Sequence, residues 1–112
     1  MGYHRAGFDV VGVDLKPQLR YPFEFHQGDA LEFLAAHGHE FDAIHASPPC
    51  QAYCSFTRTL NKKRAKAYPD MLAPTRSALN ASGIPWVIEN VPGAPVETAI
   101  MLCGSMFGLK TT

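Results

Sequence analysis

Cys50 is the residue of this 112-residue sequence best suited to covalent chemistry. It lies in a Pro-Pro-Cys-Gln segment at residues 48–51, directly after the apolar stretch at residues 41–46. In parallel α/β sheets, ligands bind beyond the carboxyl ends of the strands, and a thiol at such a place is a candidate nucleophile. The alternative is that Cys50 is a small buried hydrophobe, the common environment of cysteine outside disulfides.

Three acidic residues occupy equivalent places after other apolar stretches. Asp14 ends the stretch at residues 8–13, Asp29 follows the one at 23–26, and Glu89 ends the one at 85–88. If these strands are parallel, the three carboxylates and Cys50 line one edge of a sheet, within reach of a common ligand. Asp14 then suits ribose hydroxyls, and Asp29 suits an adenine amino group.

Each acidic residue also has a purely structural interpretation. Asp14 precedes Lys16 and a proline and can initiate that turn. Asp29, with Glu32 three residues on, has the form of a capping box and can begin a helix. Glu89 can cap the turn that follows it. The residues alone leave both interpretations open.

The elements that must position these residues alternate along the chain. Helices are predicted at residues 3–6, ending at Gly7, at 31–36, ending at Gly38, and from Asp70 or Ala73 to residue 81. The tail at residues 99–109 is consistent with a short helix or a strand. Strands alternating with helices through short turns predict an α/β fold, a doubly wound and mostly parallel sheet.

Composition excludes several classes of protein. Formal net charge is zero, with 46% hydrophobic and 18% charged residues, so no whole-molecule field attracts the chain to DNA or membrane. Three cysteines and no secretory leader predict a cytoplasmic protein, and no apolar run approaches the roughly 20 residues of a membrane span. Half of the ten basic residues fall within residues 58–66.

The order of two short motifs resembles a known family. Ser-Pro-Pro-Cys-Gln at residues 47–51, followed by Glu-Asn-Val at 89–91, each after an apolar strand, is similar to the catalytic core of the S-adenosylmethionine-dependent DNA (cytosine-5) methyltransferases of phage or bacterial type. Residues 8–15 resemble the family's second-strand segment, and residues 28–30 resemble its adenine-contacting turn. The resemblance spans roughly residues 3–109 and implies a Rossmann-like fold.

The resemblance implies a mechanism and a set of site residues. The Cys50 thiolate would attack C6 of a flipped-out cytosine, so that C5 can take the methyl group, while Glu89 acts at ring N3 as an acid. The implied role in restriction-modification is DNA methylation. The cofactor, S-adenosyl-L-methionine, would contact Asp14, Leu15, Asp29, Ala30 and Pro49. DNA would contact Gln51, Arg58, Lys62, Lys63 and Arg64, the last four in a loop that closes over the base.

The resemblance also predicts that residues 1–112 form a partial catalytic domain. The family's glycine-rich cofactor segment, its later arginine segment and its target-recognition domain have no counterpart here, so a partner chain or flanking sequence would have to complete it. Alternatives are an RNA cytosine-5 methyltransferase and a non-catalytic nucleic-acid-binding remnant that uses the basic loop at residues 58–66. A zinc site at Cys50 and Cys54, with His45 nearby, lacks the usual second ligand pair, and no metal is expected.

Overall fold

The computed structural model describes residues 1–53 and 69–109. The strands are β1 (Val11–Asp14), β2 (Glu24–Gln27), β3 (Ile44–Ala46) and β4 (Trp86–Ile88), and the α-helices are α1 (Gly2–Arg5), α2 (Ala30–His37) and α3 (Leu72–Ser82). Turns of 3₁₀-helix lie at Gly38–Glu40 and Gly104–Phe107. The α/β class predicted from the sequence is confirmed.

The first strand pair is parallel. In β1 and β2, Val11 lies opposite Glu24 and Asp14 lies opposite Gln27. The carboxyl ends of both strands therefore lie side by side. This is the arrangement that the sequence analysis expected for the residues following them.

The second strand pair joins β3 to β4. The backbone N–H of Ile44 donates to the carbonyl of Pro85 at 3.0 Å, and that of Glu89 donates to the carbonyl of Ala46 at 2.9 Å. In a parallel ladder, every second residue of one strand donates its N–H to the residue before its partner and accepts at its carbonyl from the residue after its partner. The two bonds of β3 and β4 follow this pattern. The segments after Ala46 and after Ile88 thus leave the pair at the same end.

A single doubly wound sheet is not seen among the described residues. Their hydrogen-bonded ladders join the strands two by two, β1 with β2 and β3 with β4. Alternation of apolar residues marks a segment as extended, but pairing depends on contacts between distant segments. The described residues divide into two units, residues 1–44 with 75–86, and residues 45–53 and 69–74 with 87–109.

The end of α1 delays the start of β1. The N–H of Gly7 bonds to His4 O and that of Phe8 to Tyr3 O, with Gly7 at φ +96°. This is a Schellman cap, and the Tyr3 and Phe8 rings supply its usual apolar contact, with centroids 6.1 Å apart. Phe8 is therefore used in the cap, and β1 begins at Val11 rather than at residue 8 as predicted.

The strand β3 is also shorter than the predicted 41–46. The N–H of Phe41 closes the 3₁₀ turn by donating to Gly38 O at 3.2 Å, and the Phe41 ring faces Phe33 of α2 with centroids 6.2 Å apart. Gly38 follows the last residue of α2, as expected. Because Phe41 belongs to this turn, the extended pairing begins only at Ile44.

An aromatic cluster covers part of β1. The Tyr21 ring lies over Gly12, where an added Cβ would stand 2.7 Å from two ring carbons. Phe23 and Phe25 contact the same ring, with centroids at 5.6 and 5.9 Å. A side chain at Gly12 would therefore have to displace the Tyr21 ring, which its place in an apolar run did not indicate.

The most deeply buried side chains of the described residues lie on one face of helix α3. Leu72 and Leu79 are each 1% exposed and Thr75 lies between them on the same face. The Asp70 carboxylate accepts from the N–H of Leu72 at 3.0 Å, and Gly83 ends the helix at φ +68°, both as predicted. None of the described helices is long and apolar enough to cross a bilayer.

Candidate functional site

The segment that carries Cys50 continues directly from β3. Pro48 and Pro49 extend the chain beyond Ala46, and the carbonyl of Cys50 accepts from the N–H of Tyr53 at 2.9 Å, which turns the chain. The Cys50 side chain is half-buried, whereas Pro49 and Gln51 are exposed. The thiol therefore follows the carboxyl end of a parallel strand, as the sequence analysis predicted.

Two hydrogen bonds bring the Cys50 segment and the Glu89 segment together. Besides the backbone bond between Glu89 and Ala46, the side-chain amide of Asn90 donates from Nδ2 to the carbonyl oxygen of Pro48 at 3.1 Å. Glu89 is exposed and Asn90 is half-buried. The two short motifs of the sequence are thus in direct contact across 42 residues of chain.

A tight turn follows the Glu89 segment. Ala94 N–H bonds to Val91 O at 3.1 Å, and Gly93 lies at φ +94°. Proline at the second position and a glycine with positive φ at the third are typical of a type II turn. The turn fixes the direction of the chain immediately beyond Asn90.

Asp14 organises the turn after β1. Its Oδ1 accepts from the backbone N–H of Lys16 at 2.8 Å and its Oδ2 from the Gln18 side-chain amide at 3.2 Å. The turn-initiating interpretation is therefore observed. The carboxylate is exposed, and each oxygen keeps a second lone pair that a hydroxyl donor could use.

Asp29 caps α2. Its Oδ1 accepts from the N–H groups of Leu31 and Glu32 at 2.9 and 3.0 Å, which satisfies two of the donors left open at a helix start. The other oxygen, Oδ2, receives no hydrogen bond from the residues that the structure describes. The capping interpretation is observed, and one carboxylate oxygen remains for a ligand.

The ends of β1 and β2 place these two carboxylates in one region of the first unit. Gly28 N–H donates to Asp14 O at 3.0 Å, and the Gln27 side chain donates to Leu15 O at 3.1 Å. Leu15 is 68% exposed, so its apolar side chain presents a surface beside Asp14. Ala30, also exposed, begins α2.

Several predicted site residues lie outside the described part of the chain. Arg58, Lys62, Lys63 and Arg64 of the basic loop are among them, as is Cys54 of the zinc alternative. Among residues 1–53 and 69–109, no group of three or more His, Cys, Asp or Glu side chains could hold a metal ion.

Sequence reasoning missed two residues that the geometry singles out. Asn90 was quoted only as part of a motif, and nothing in its spacing indicated a bond to Pro48. Cys103 is exposed, and a hydrogen bond from the Ser105 hydroxyl to its Sγ at 3.3 Å is the largest cause that lowers the pKa of its thiol. The backbone N–H groups of Ser105 and Gly104 act in the same direction. A serine two residues after the cysteine could have indicated this contact.

Comparisons with protein-family models, with curated proteins and with solved structures gave no match to this chain.

Proposed function

We propose that this chain is the catalytic part of an enzyme that transfers a methyl group from S-adenosyl-L-methionine to C5 of cytosine in DNA. The observation that supports the proposal best is the contact between the Cys50 segment and the Glu89 segment at the ends of β3 and β4. Parallel strand ends are where α/β enzymes carry their chemistry. A nucleophile on one and a carboxyl group on the next can act on two atoms of the same small ring.

The proposed reaction uses both groups. The Cys50 thiolate adds to C6 of the cytosine, and Glu89 holds a proton at ring N3, where negative charge would otherwise build up. The electron pair released toward C5 would form the new bond to the methyl carbon while the methyl–sulfonium bond breaks, with the neutral thioether S-adenosylhomocysteine as the leaving group. Loss of the C5 proton to a base then allows the C6–sulfur bond to break, which returns the thiolate. The base is flipped out of the duplex for this chemistry.

The residues of the first unit suit the proposed cofactor. Oδ2 of Asp29 and the remaining lone pairs of Asp14 can accept hydrogen bonds from an adenine amino group and ribose hydroxyls, and Leu15 offers apolar surface to the base. Ala30 completes the proposed contacts of this unit. When bound, S-adenosyl-L-methionine supplies an electrophilic methyl group, which no side chain can provide.

The proposal extends to fold, partner and setting. The two parallel strand pairs would belong to one doubly wound, Rossmann-like sheet, in a partial catalytic domain that flanking sequence or a partner chain completes. DNA would be contacted by Gln51 and by the basic loop at Arg58, Lys62, Lys63 and Arg64. The proposed chemistry suits a cytoplasmic DNA-modification enzyme of a phage or bacterium.

Transfer of label from S-adenosyl-L-[methyl-³H]methionine to cytosine in DNA tests the function directly. The longest natural form of this chain is expected to label C5, its Cys50→Ala variant to show no transfer, and its Cys103→Ala variant to match the unmodified form. Cys103 provides a matched control because it is an exposed thiol outside the contact described above. No labelled cytosine, or equal labelling by the Cys50→Ala variant, would refute the proposal.

Two further arms of the assay separate the alternatives. Labelling of RNA but not of DNA would assign the same chemistry to RNA. Salt-dependent DNA binding without labelling, unchanged in a Cys50→Ala and Glu89→Gln double variant, would assign a non-catalytic binding role. DNA that contains 5-fluorocytosine tests the covalent bond itself, because the fluorine cannot leave as the proton does, and the adduct at Cys50 should survive denaturation.

A further inference from the structure

We infer that Asn90 is a positioning residue, which holds the Cys50 segment against the strand end that carries Glu89. The inference rests on the proposed function for its catalytic meaning, but its geometry stands alone. Nδ2 of Asn90 donates to Pro48 O at 3.1 Å, and Oδ1 accepts from the N–H of Val91 at 2.9 Å. Both ends of one amide are therefore used.

The amide replaces a bond that the backbone does not make. The ladder of β3 and β4 ends with the bond from Glu89 N to Ala46 O, and its next rung in a regular parallel pair would join Val91 N to Pro48 O directly. Instead, Val91 N bonds to the Asn90 side chain, which in turn bonds to Pro48 O. The Asn90 amide is inserted into this rung as a relay.

Pro48 explains why the ladder depends on a side chain at this place. In a regular parallel pair its N–H would be the next donor from the β3 side toward β4, two residues after Ala46, but a proline has no N–H group. The carbonyl of Pro48 remains as an acceptor, and Asn90 is the donor that reaches it. An aspartate would lack the donor, and a glutamine would be one methylene too long for the same geometry.

The relay sets the separation of the two reacting groups. Cys50 lies two residues beyond Pro48, and Glu89 directly precedes Asn90. A fixed bond between Pro48 and Asn90 therefore limits how far the thiol can move from the carboxyl group. For attack on C6 while a proton is held at N3 of the same ring, that limit contributes orientation rather than chemistry.

Thiol reactivity measures this positioning without any need for turnover. Peptide mass spectrometry measures the rate at which iodoacetamide carbamidomethylates Cys50 in the full chain. Chymotryptic cleavage after Tyr53 separates Cys50 from Cys54 before the measurement. Because Cys50 is half-buried, we expect Asn90→Ala to raise its rate about fivefold, the ratio that corresponds to the net loss of one neutral hydrogen bond. Asn80→Ala, on the exposed surface of α3, is the matched control and should leave the rate unchanged.

A second variant isolates the bond to Pro48. Asn90→Asp keeps an acceptor for Val91 N and replaces the donor with a negatively charged oxygen, which repels Pro48 O, so it should also raise the Cys50 rate if the relay is correct. Cys103, an exposed thiol in the same sample, controls for the alkylation conditions, and the fluorescence of Trp86 reports on the fold. An unchanged Cys50 rate in both variants would overturn the inference. So would a rise in the Cys50 rate that is accompanied by the loss of native Trp86 fluorescence, because the cause would then be a general loss of structure.

The methyl-transfer assay adds a readout that a merely structural role would not move. With the relay lost, kcat should fall about tenfold or more while the KM for DNA stays within twofold, because orientation at the reacting atoms is changed and DNA contacts are not. If the longest natural form of the chain transfers no methyl group, the proposed function fails, and the Cys50 reactivity result still decides the positioning role. If the chain is active and Asn90→Asp has unchanged kcat, the positioning role in catalysis fails.

Discussion

Asp29 has two proposed roles that a pair of substitutions can separate. One carboxylate oxygen, Oδ1, holds both N–H groups of the α2 start, at 2.9 and 3.0 Å, and Oδ2 is left for the adenine amino group. Serine is as good a helix cap as aspartate but has a single oxygen. Asp29→Ser therefore keeps the cap and removes the proposed ligand contact, whereas Asp29→Ala removes both.

The expected magnitudes follow from these contacts. Loss of the cap in Asp29→Ala should lower the free energy of unfolding by about 1 kcal/mol, which for a 112-residue chain is a fall in Tm of about 4 °C. Asp29→Ser should stay within a few tenths of a kcal/mol of the unmodified chain. Both variants should bind S-adenosyl-L-methionine about tenfold more weakly or worse, because a hydrogen bond to a charged group is lost.

Urea unfolding followed by the fluorescence of Trp86, the single tryptophan of the chain, measures the stability, and isothermal titration calorimetry measures the affinity. Asp42→Ser, at an exposed aspartate, controls for the loss of one negative charge. Unchanged affinity in Asp29→Ser would leave Asp29 as a helix cap only. Unchanged stability in Asp29→Ala would show that the capping argument is wrong.

Two further predictions concern packing and a thiol. Leu79→Ala should lower the free energy of unfolding by about 2–5 kcal/mol, because this side chain is 1% exposed, whereas Leu19→Ala, at a site 95% exposed, should change it by less than about 0.5 kcal/mol in the same urea titration. Equal losses would contradict the burial argument. Ser105→Ala should move the half-maximal pH of Cys103 alkylation upward, because the bonds from Ser105 stabilise the thiolate and lower the pKa of Cys103; an unchanged or lower midpoint would refute that cause.

Local features of this fold could be read from the sequence because neighbouring residues decide them. Gly7 and Gly83 end helices at positive φ, and Asp29 begins one, each through contacts within a few residues. Strand lengths could not be read in the same way. Phe8 and Phe41 look like strand residues, but the first belongs to a helix cap and the second to a 3₁₀ turn.

The candidate site shows the same difference between features set by neighbouring residues and features set by distant ones. The places of Cys50 and Glu89 after apolar strands were predictable, because a strand end can be recognised from the change in residue type that follows it. The role of Asn90 was not, because it depends on a carbonyl 42 residues away. The same holds for Gly12. That a side chain at this position would meet the Tyr21 ring is evident only from the structure.

The bond between Asn90 and Pro48 closes a long loop of chain. The free-energy cost of closing that loop depends only weakly on its length. Closing a loop costs chain entropy that grows only with the logarithm of its length, so eight residues added to these 42 would cost roughly 0.2 kcal/mol. The basic residues at 58–66 lie within that loop. Insertions or deletions there can alter the reach of the positive charges while the register of β3 and β4 stays the same. The contact between the two strand ends is thereby insensitive to the length of the chain that joins them.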